Sequence, residues 1–231
     1  MYILKAVGKL KAEADMGVIL TELRKHAPFT IFGAVTGVLL MVIFQHVSDR
    51  VAYSAFYVFH PLHVVLSALV TSSIYKFHVC PPDGHLGRKC NLWALLAVGY
   101  AGAIGIATIS DSLIPFLGEV LLDMPHREPH IGFIEKWWLI NPLAVGGVLI
   151  SYKWPSTKFP HAGHVLISTW ASLFHMMTAR GPVTSPAVYA GIAVFLFLAV
   201  WLPCCVSDII FPLLFVKGGG GEGKGAVSHG H

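Results

Sequence analysis

Between Phe29 and Val216 the chain offers six apolar stretches, each long enough to cross a bilayer. They run roughly over 29–47, 55–77, 92–117, 133–152, 160–178 and 187–216. A spanning helix needs about 20 mostly apolar residues. Inside hydrocarbon every backbone polar group must be bonded within its own helix or within a closed barrel. Only 12% of the 231 residues are charged, against about a quarter in a soluble domain. That is too little charge to cover a water-facing surface. The expected fold is all-α and integral to the membrane, with six transmembrane helices.

The segments outside these stretches are short. Residues 1–25 place Ile3, Leu4, Val7 and Leu10, then Val18, Ile19 and Leu23, at helical spacing with lysines opposite. This predicts an amphipathic interfacial helix; a helix packed on the bundle fits the same pattern. Lys5, Lys9, Lys11, Glu13 and Asp15 interrupt any cleavable signal core. Residues 217–231, "KGGGGEGKGAVSHGH", read as a flexible Gly/His tail. The formal charge of +4 sets topology rather than binding nucleic acid. The four cysteines form no spaced disulfide framework.

Lys and Arg cluster on one side of the expected spans. Lys5, Lys9, Lys11, Arg24 and Lys25 precede the first span, Lys76, Arg88 and Lys89 follow the second, and Lys153 and Lys158 follow the fourth. Lys217 and Lys224 follow the last. The opposite loops hold only Arg50, Arg127, Lys136 and Arg180. The positive-inside rule then places both termini on the cytoplasmic side of a cell membrane.

The chain also repeats itself. "AVTGVLL" at 34–40 returns as "AVGGVLI" at 144–150, "HPLHVVLS" at 60–67 as "HAGHVLIS" at 161–168, and "SDSLIP" at 110–115 as "SDIIFP" at 207–212. Three collinear matches predict an internal duplication, with one half over 26–120 and the other over 121–216. Each half holds three spans, so the second crosses the membrane in the opposite sense. Inverted-topology repeats of this kind are a recurring plan of secondary transporters.

What repeats is polar. His60 and His63 share one helix face, Ser67 lies a turn further on, and Asp111 with Ser110 ends the third span. The second copy supplies His161, His164, Ser168, Ser207 and Asp208. The inverted topology puts the first set toward the outer face and the second toward the cytoplasmic face. Ionisable groups inside spans cost a few kcal/mol each and mark function by default. Two imidazoles and a carboxylate suit a divalent transition metal of the zinc, iron or manganese class, with the four serines behind them. Pro115 and Pro212 each follow an aspartate by four residues, which predicts that the aspartate's own carbonyl is freed beside its carboxylate. A His–Asp–Ser network that only joins helices is the plain alternative.

Weaker candidates surround these sets. His78, Cys80, His85 and Cys90 lie in one loop and offer zinc-type ligands without standard spacing. His126 and His130 occupy the loop after the third span, and His46 ends the first. His26 and His175 have no partner visible in the sequence. Cys204 and Cys205 read as inert buried thiols.

The leading functional expectation is a metal-ion transporter or channel with mirror-related sites, whose release step follows histidine protonation. A membrane-embedded metal-dependent hydrolase acting on a lipid or lipid-linked substrate is the rival from another class. A haem-binding or accessory subunit of a membrane complex is the third reading. Six short spans enclose a limited core, which suits a homodimer or a larger complex. Phosphate-binding loops, His-Glu-x-x-His and nucleophile elbows are all missing from the sequence.

Overall fold

In a computed structural model the described residues are 24, 27–28, 30–80, 91–156, 158–180, 185–205, 211 and 215, with backbone alone at 158–162 and 204–205. The predicted interfacial helix, the Gly/His tail, His85, Cys90, Ser207, Asp208 and Pro212 lie outside them, as does the side chain of His161. Among the described residues the chain is all-helical. The order is α1 (Thr30–Ile43), α2 (Asp49–Val79), α3 (Leu92–Thr108), a π-helical turn (Ile109–Leu113), α4 (Ile114–Leu121), α5 (Gly132–Glu135), α6 (Trp137–Lys153), α7 (Lys158–Thr178) and α8 (Pro186–Cys205).

Among the described residues three helical runs are long and apolar enough to cross a membrane: Asp49–Val79, Leu92–Leu121 and Pro186–Pro203. The other predicted spans take different forms. α1 is a shorter apolar helix. α6 has 17 residues, with exposed Trp137 and Trp138 at its start and exposed Trp154 just past its end. Tryptophan favours the membrane–water interface, where its amphipathic ring sits at headgroup level. α7 carries a row of buried polar side chains, which lowers its hydropathy.

Burial is inverted relative to a soluble protein. Ile31, Phe32, Leu39, Val58, Leu62 and Leu149 are exposed, while His60, His63, Ser67, Asp111, His164 and Ser168 are almost wholly buried. Only an apolar surrounding makes that distribution favourable. These are the features of a helical membrane protein.

Two apolar clusters flank the polar centre. One joins α2, α3 and α6 through Val64, Ala68, Val98, Ala144 and Val148. The other joins α1, α7 and α8 through Ala34, Met41, Leu173, Met176 and Leu196. Lipid supplies no hydrophobic drive between helices, so close packing must hold them. A Cβ at Gly147 of α6 would sit 2.8 Å from the Ala68 side chain and 2.8 Å from the Val65 carbonyl. Gly37 of α1, the matched residue in "AVTGVLL", faces Thr169 and Leu196, and Thr169 is the match of Ala68. The same contact is thus made by matched positions of the two sequence copies. Between the clusters, α2 packs along α7, the two helices that carry His-x-x-His.

Candidate functional site

The site is assembled from α2, the π-turn and α7. α2 presents Phe56, His60, His63, Ser67 and Thr71 at spacings of four, three, four and four, and all five are buried. α7 presents His164, Ser168, Ser172 and His175 at spacings of four, four and three, also buried. Side chains three and four apart share a helix face, so two polar faces meet along the α2–α7 contact.

Asp111 stands at their junction with no solvent exposure. Its Oδ2 accepts from His60 Nδ1 at 2.9 Å and from His63 Nδ1 at 2.7 Å. Its Oδ1 accepts from Ser110 Oγ at 2.7 Å and from Ser168 Oγ at 2.8 Å. An ionised carboxylate only accepts, so both imidazoles carry their proton on Nδ1 and turn Nε2 outward. Four donors replace the water that burial removes, and without them the carboxylate would not be tolerated there.

The two ring nitrogens left over face different surroundings. His60 stacks on Phe56, ring centroids 5.0 Å apart, and its Nε2 edge lies against Gly132. Glycine is required there, because any Cβ would collide with the ring. His63 lies ring to ring with His164 at 5.7 Å and 5° from parallel. His63 Nε2 is buried and without a hydrogen-bond partner among the described residues, as is Ser67 Oγ.

Asp111 owes its position to the π-turn. There Ile114 N–H bonds back to the Ile109 carbonyl, five residues away, which bypasses Ser110. The Ser110 carbonyl instead accepts Ser172 Oγ from α7 at 3.0 Å. The carbonyl bonded to the neighbouring helix is therefore that of Ser110, one residue before the position expected from Pro115. Widened turns of this kind recur at functional sites.

The sequence placed the two sets toward opposite membrane faces, and the structure brings described members of both together. Ser168 bonds Asp111 of the other copy, and His164 meets His63. The motif's last histidine and serine lie on the face where α2 and α7 touch, so Asp111 gathers His60, His63 and Ser110 of its own copy and Ser168 of the other.

Among the described residues, no three His, Cys, Asp or Glu side chains converge as a ready cation shell. The His60, His63 and Asp111 atoms approach at hydrogen-bond separations. Tetrahedral ligands about 2.0–2.2 Å from one ion would stand roughly 3.3 Å apart. Of the loop candidates among the described residues, His78 Nδ1 bonds the Ile74 carbonyl at 2.8 Å, and Cys80 is disulfide-bonded and so offers no thiolate. His46 and His126 are exposed.

His130 does reach the interior, along with residues the sequence left unpaired. Ser112 Oγ donates to the His130 carbonyl at 2.6 Å, pinning the loop to the π-turn. The His130 ring meets the His175 ring edge-on at 5.3 Å. Burial, and then the neighbouring His175, hold the His130 pKa below the ordinary histidine value. His175 Nδ1 and Glu119 Oε1 are 2.7 Å apart, both side chains wholly buried. The only sequence signal for His175 was its spacing from Ser168 and Ser172; nothing in the chain pointed to Glu119.

No protein-family model matches the chain, and no curated protein or solved structure matches it.

Proposed function

We propose that the protein is a secondary transporter of divalent transition-metal ions, built from two three-helix halves of opposite topology that meet at the α2–α7 contact. The observation that carries this reading is the buried pairing of His63 with His164, the same position of the two sequence copies, at the centre of the helix contact. A residue that touches its own repeat mate lies beside the axis relating the halves, and transporters of inverted-repeat plan bind cargo there. The matched Gly37 and Gly147 contacts, and the exchange of α1 and α6 between the apolar clusters, favour the same arrangement. In this reading both termini are cytoplasmic.

In this reading His63 Nε2 and the His164 ring take the ion, and Asp111 stands behind the first imidazole. Metal-binding histidines commonly donate their other N–H to a carboxylate, which fixes the tautomer and raises ligand basicity. Zinc, iron and manganese all accept imidazole nitrogen.

The test is elemental analysis of purified protein lacking residues 217–231, loaded with zinc, iron or manganese, followed by flux into proteoliposomes. Wild type is expected to retain bound ion, His63→Ala and His164→Ala to lose it, and Asp111→Asn to bind about 10–100-fold more weakly. Full retention in the His63→Ala/His164→Ala double variant would refute the reading.

A further inference from the structure

The Glu119–His175 pair plays no part in holding an ion between His63 and His164, yet it is built with equal care. Glu119 comes from α4 and His175 from α7, and neither has exposed side-chain surface. One atom of each joins the 2.7 Å contact. The remaining atoms, Glu119 Oε2 and His175 Nε2, are buried and lack a hydrogen-bond partner among the described residues. A buried polar atom left open in this way is costly, so two in one pair point to a ligand that comes and goes.

The pair is also connected to the surface. His130 packs against His175, its Nδ1 lies 3.6 Å from Glu135 Oε1, and the Glu135 side chain is about one-third exposed. Tyr57 OH donates to Glu135 Oε2 at 2.5 Å and the Ile131 N–H to Oε1 at 3.0 Å, which holds the carboxylate beside His130. Phe56 fills the space between the His60, His130 and His175 rings, separating this route from the Asp111 network.

We propose that Glu119 and His175 form a proton-binding site, separate from the Asp111 network and reached from the α4–α5 connection through Glu135 and His130. A proton arriving at His175 Nε2 releases the Nδ1 proton to Glu119 Oε1. The imidazole then ends neutral as its other tautomer, and the carboxylate ends as the acid. Charge and atoms balance with one proton taken from water. The pair titrates as a unit. The other ionisable groups that act on it are Asp111 of the π-turn, His60 of α2, Glu128 and His130 of the loop, and Glu135 of α5. α1 and α8 bring no Asp, Glu, His, Lys or Arg toward it.

Within the transporter reading this site would supply the proton that drives ion release, but the site itself needs no bound metal. Infrared difference spectroscopy of the metal-free full chain across pH therefore tests it alone. Among the carboxylic-acid carbonyl bands that titrate in wild type, one should belong to Glu119. The band should vanish in Glu119→Gln, persist in Asp111→Asn and move in frequency in Glu119→Asp, the variant that keeps a carboxyl if the glutamine does not fold. A set of titrating carboxyl bands unchanged in either Glu119 variant overturns the proposal. Zinc retention measured on the same samples reports separately on the transporter reading.

Discussion

His63 and His164 lie ring to ring across the α2–α7 contact, 5.7 Å between centroids and nearly parallel. One imidazole is anchored from behind by Asp111, which also bonds Ser168 of the helix that carries the other. The carboxylate therefore fastens α2 to α7 as well as orienting His63.

Asp111→Asn should destabilise the fold by about 3 kcal/mol, in the range for breaking a buried charged network. The amide keeps the shape but replaces one acceptor oxygen with a donor, which then faces either two N–H groups or two hydroxyls. Ser168→Ala should cost less, about 0.6–1.7 kcal/mol, the scale of one interhelical hydrogen bond in a membrane. Unfolding in mixed detergent would rank the two; equal losses would show that Asp111 is not the organising acceptor.

Gly132→Ala tests the packing of His60. The added methyl meets the ring, so the imidazole must turn from Asp111 or α5 must shift. A loss of about 1–3 kcal/mol is expected for such overpacking. In a His60→Ala background the same change should cost little, since the obstructing ring is gone. A thermal-melt double-mutant cycle reads this directly, and additive losses would contradict it.

Gly146 and Gly147 are neighbours with opposite expectations. A Cβ at Gly147 would press on Ala68 and Val65, while one at Gly146 meets nothing within 4 Å and joins the apolar groove on the outer face of α6. Gly147→Val should cost about 1–3 kcal/mol. Gly146→Ala should be neutral or slightly stabilising, as alanine favours a helix over glycine. Melting temperatures of the pair would check the direction of α6.

The depressed His130 pKa sets a pH dependence. Between its folded value and the ordinary value near 6.5, the unfolded state binds more protons than the native state. Stability therefore rises with pH through that window and falls on acidification below about pH 6.5. His130→Gln should flatten this slope in melts taken from pH 7 to pH 5. An unchanged slope would mean that another group controls it.

Much of the site was legible as helix faces. His60, His63 and Ser67, and likewise His164 and Ser168, sit at spacings that force each set onto one side of a helix. That Asp111 would join His60 and His63 followed from the length of the spans between them. Its bond to Ser168 and the pairing of Glu119 with His175 were not legible, because each crosses from one half of the chain to the other. The π-turn escaped too: a widened turn has no residue signature of its own, and here it depends on Ser172 of α7 to occupy the Ser110 carbonyl.

The sequence alone determined that this chain buries its polar faces and gives its apolar ones to the surroundings, since so little charge and such long apolar runs admit no soluble alternative. It also determined which side chains share a helix face, because helical periodicity is a local property. Only the tertiary structure decided which faces meet. α2 lies on α7, α1 and α6 trade places between the apolar clusters, and one carboxylate draws its four donors from three segments. Those choices depend on how closely Gly37 and Gly147 let neighbouring helices approach, and on which buried hydrogen-bonding groups find partners once water is excluded.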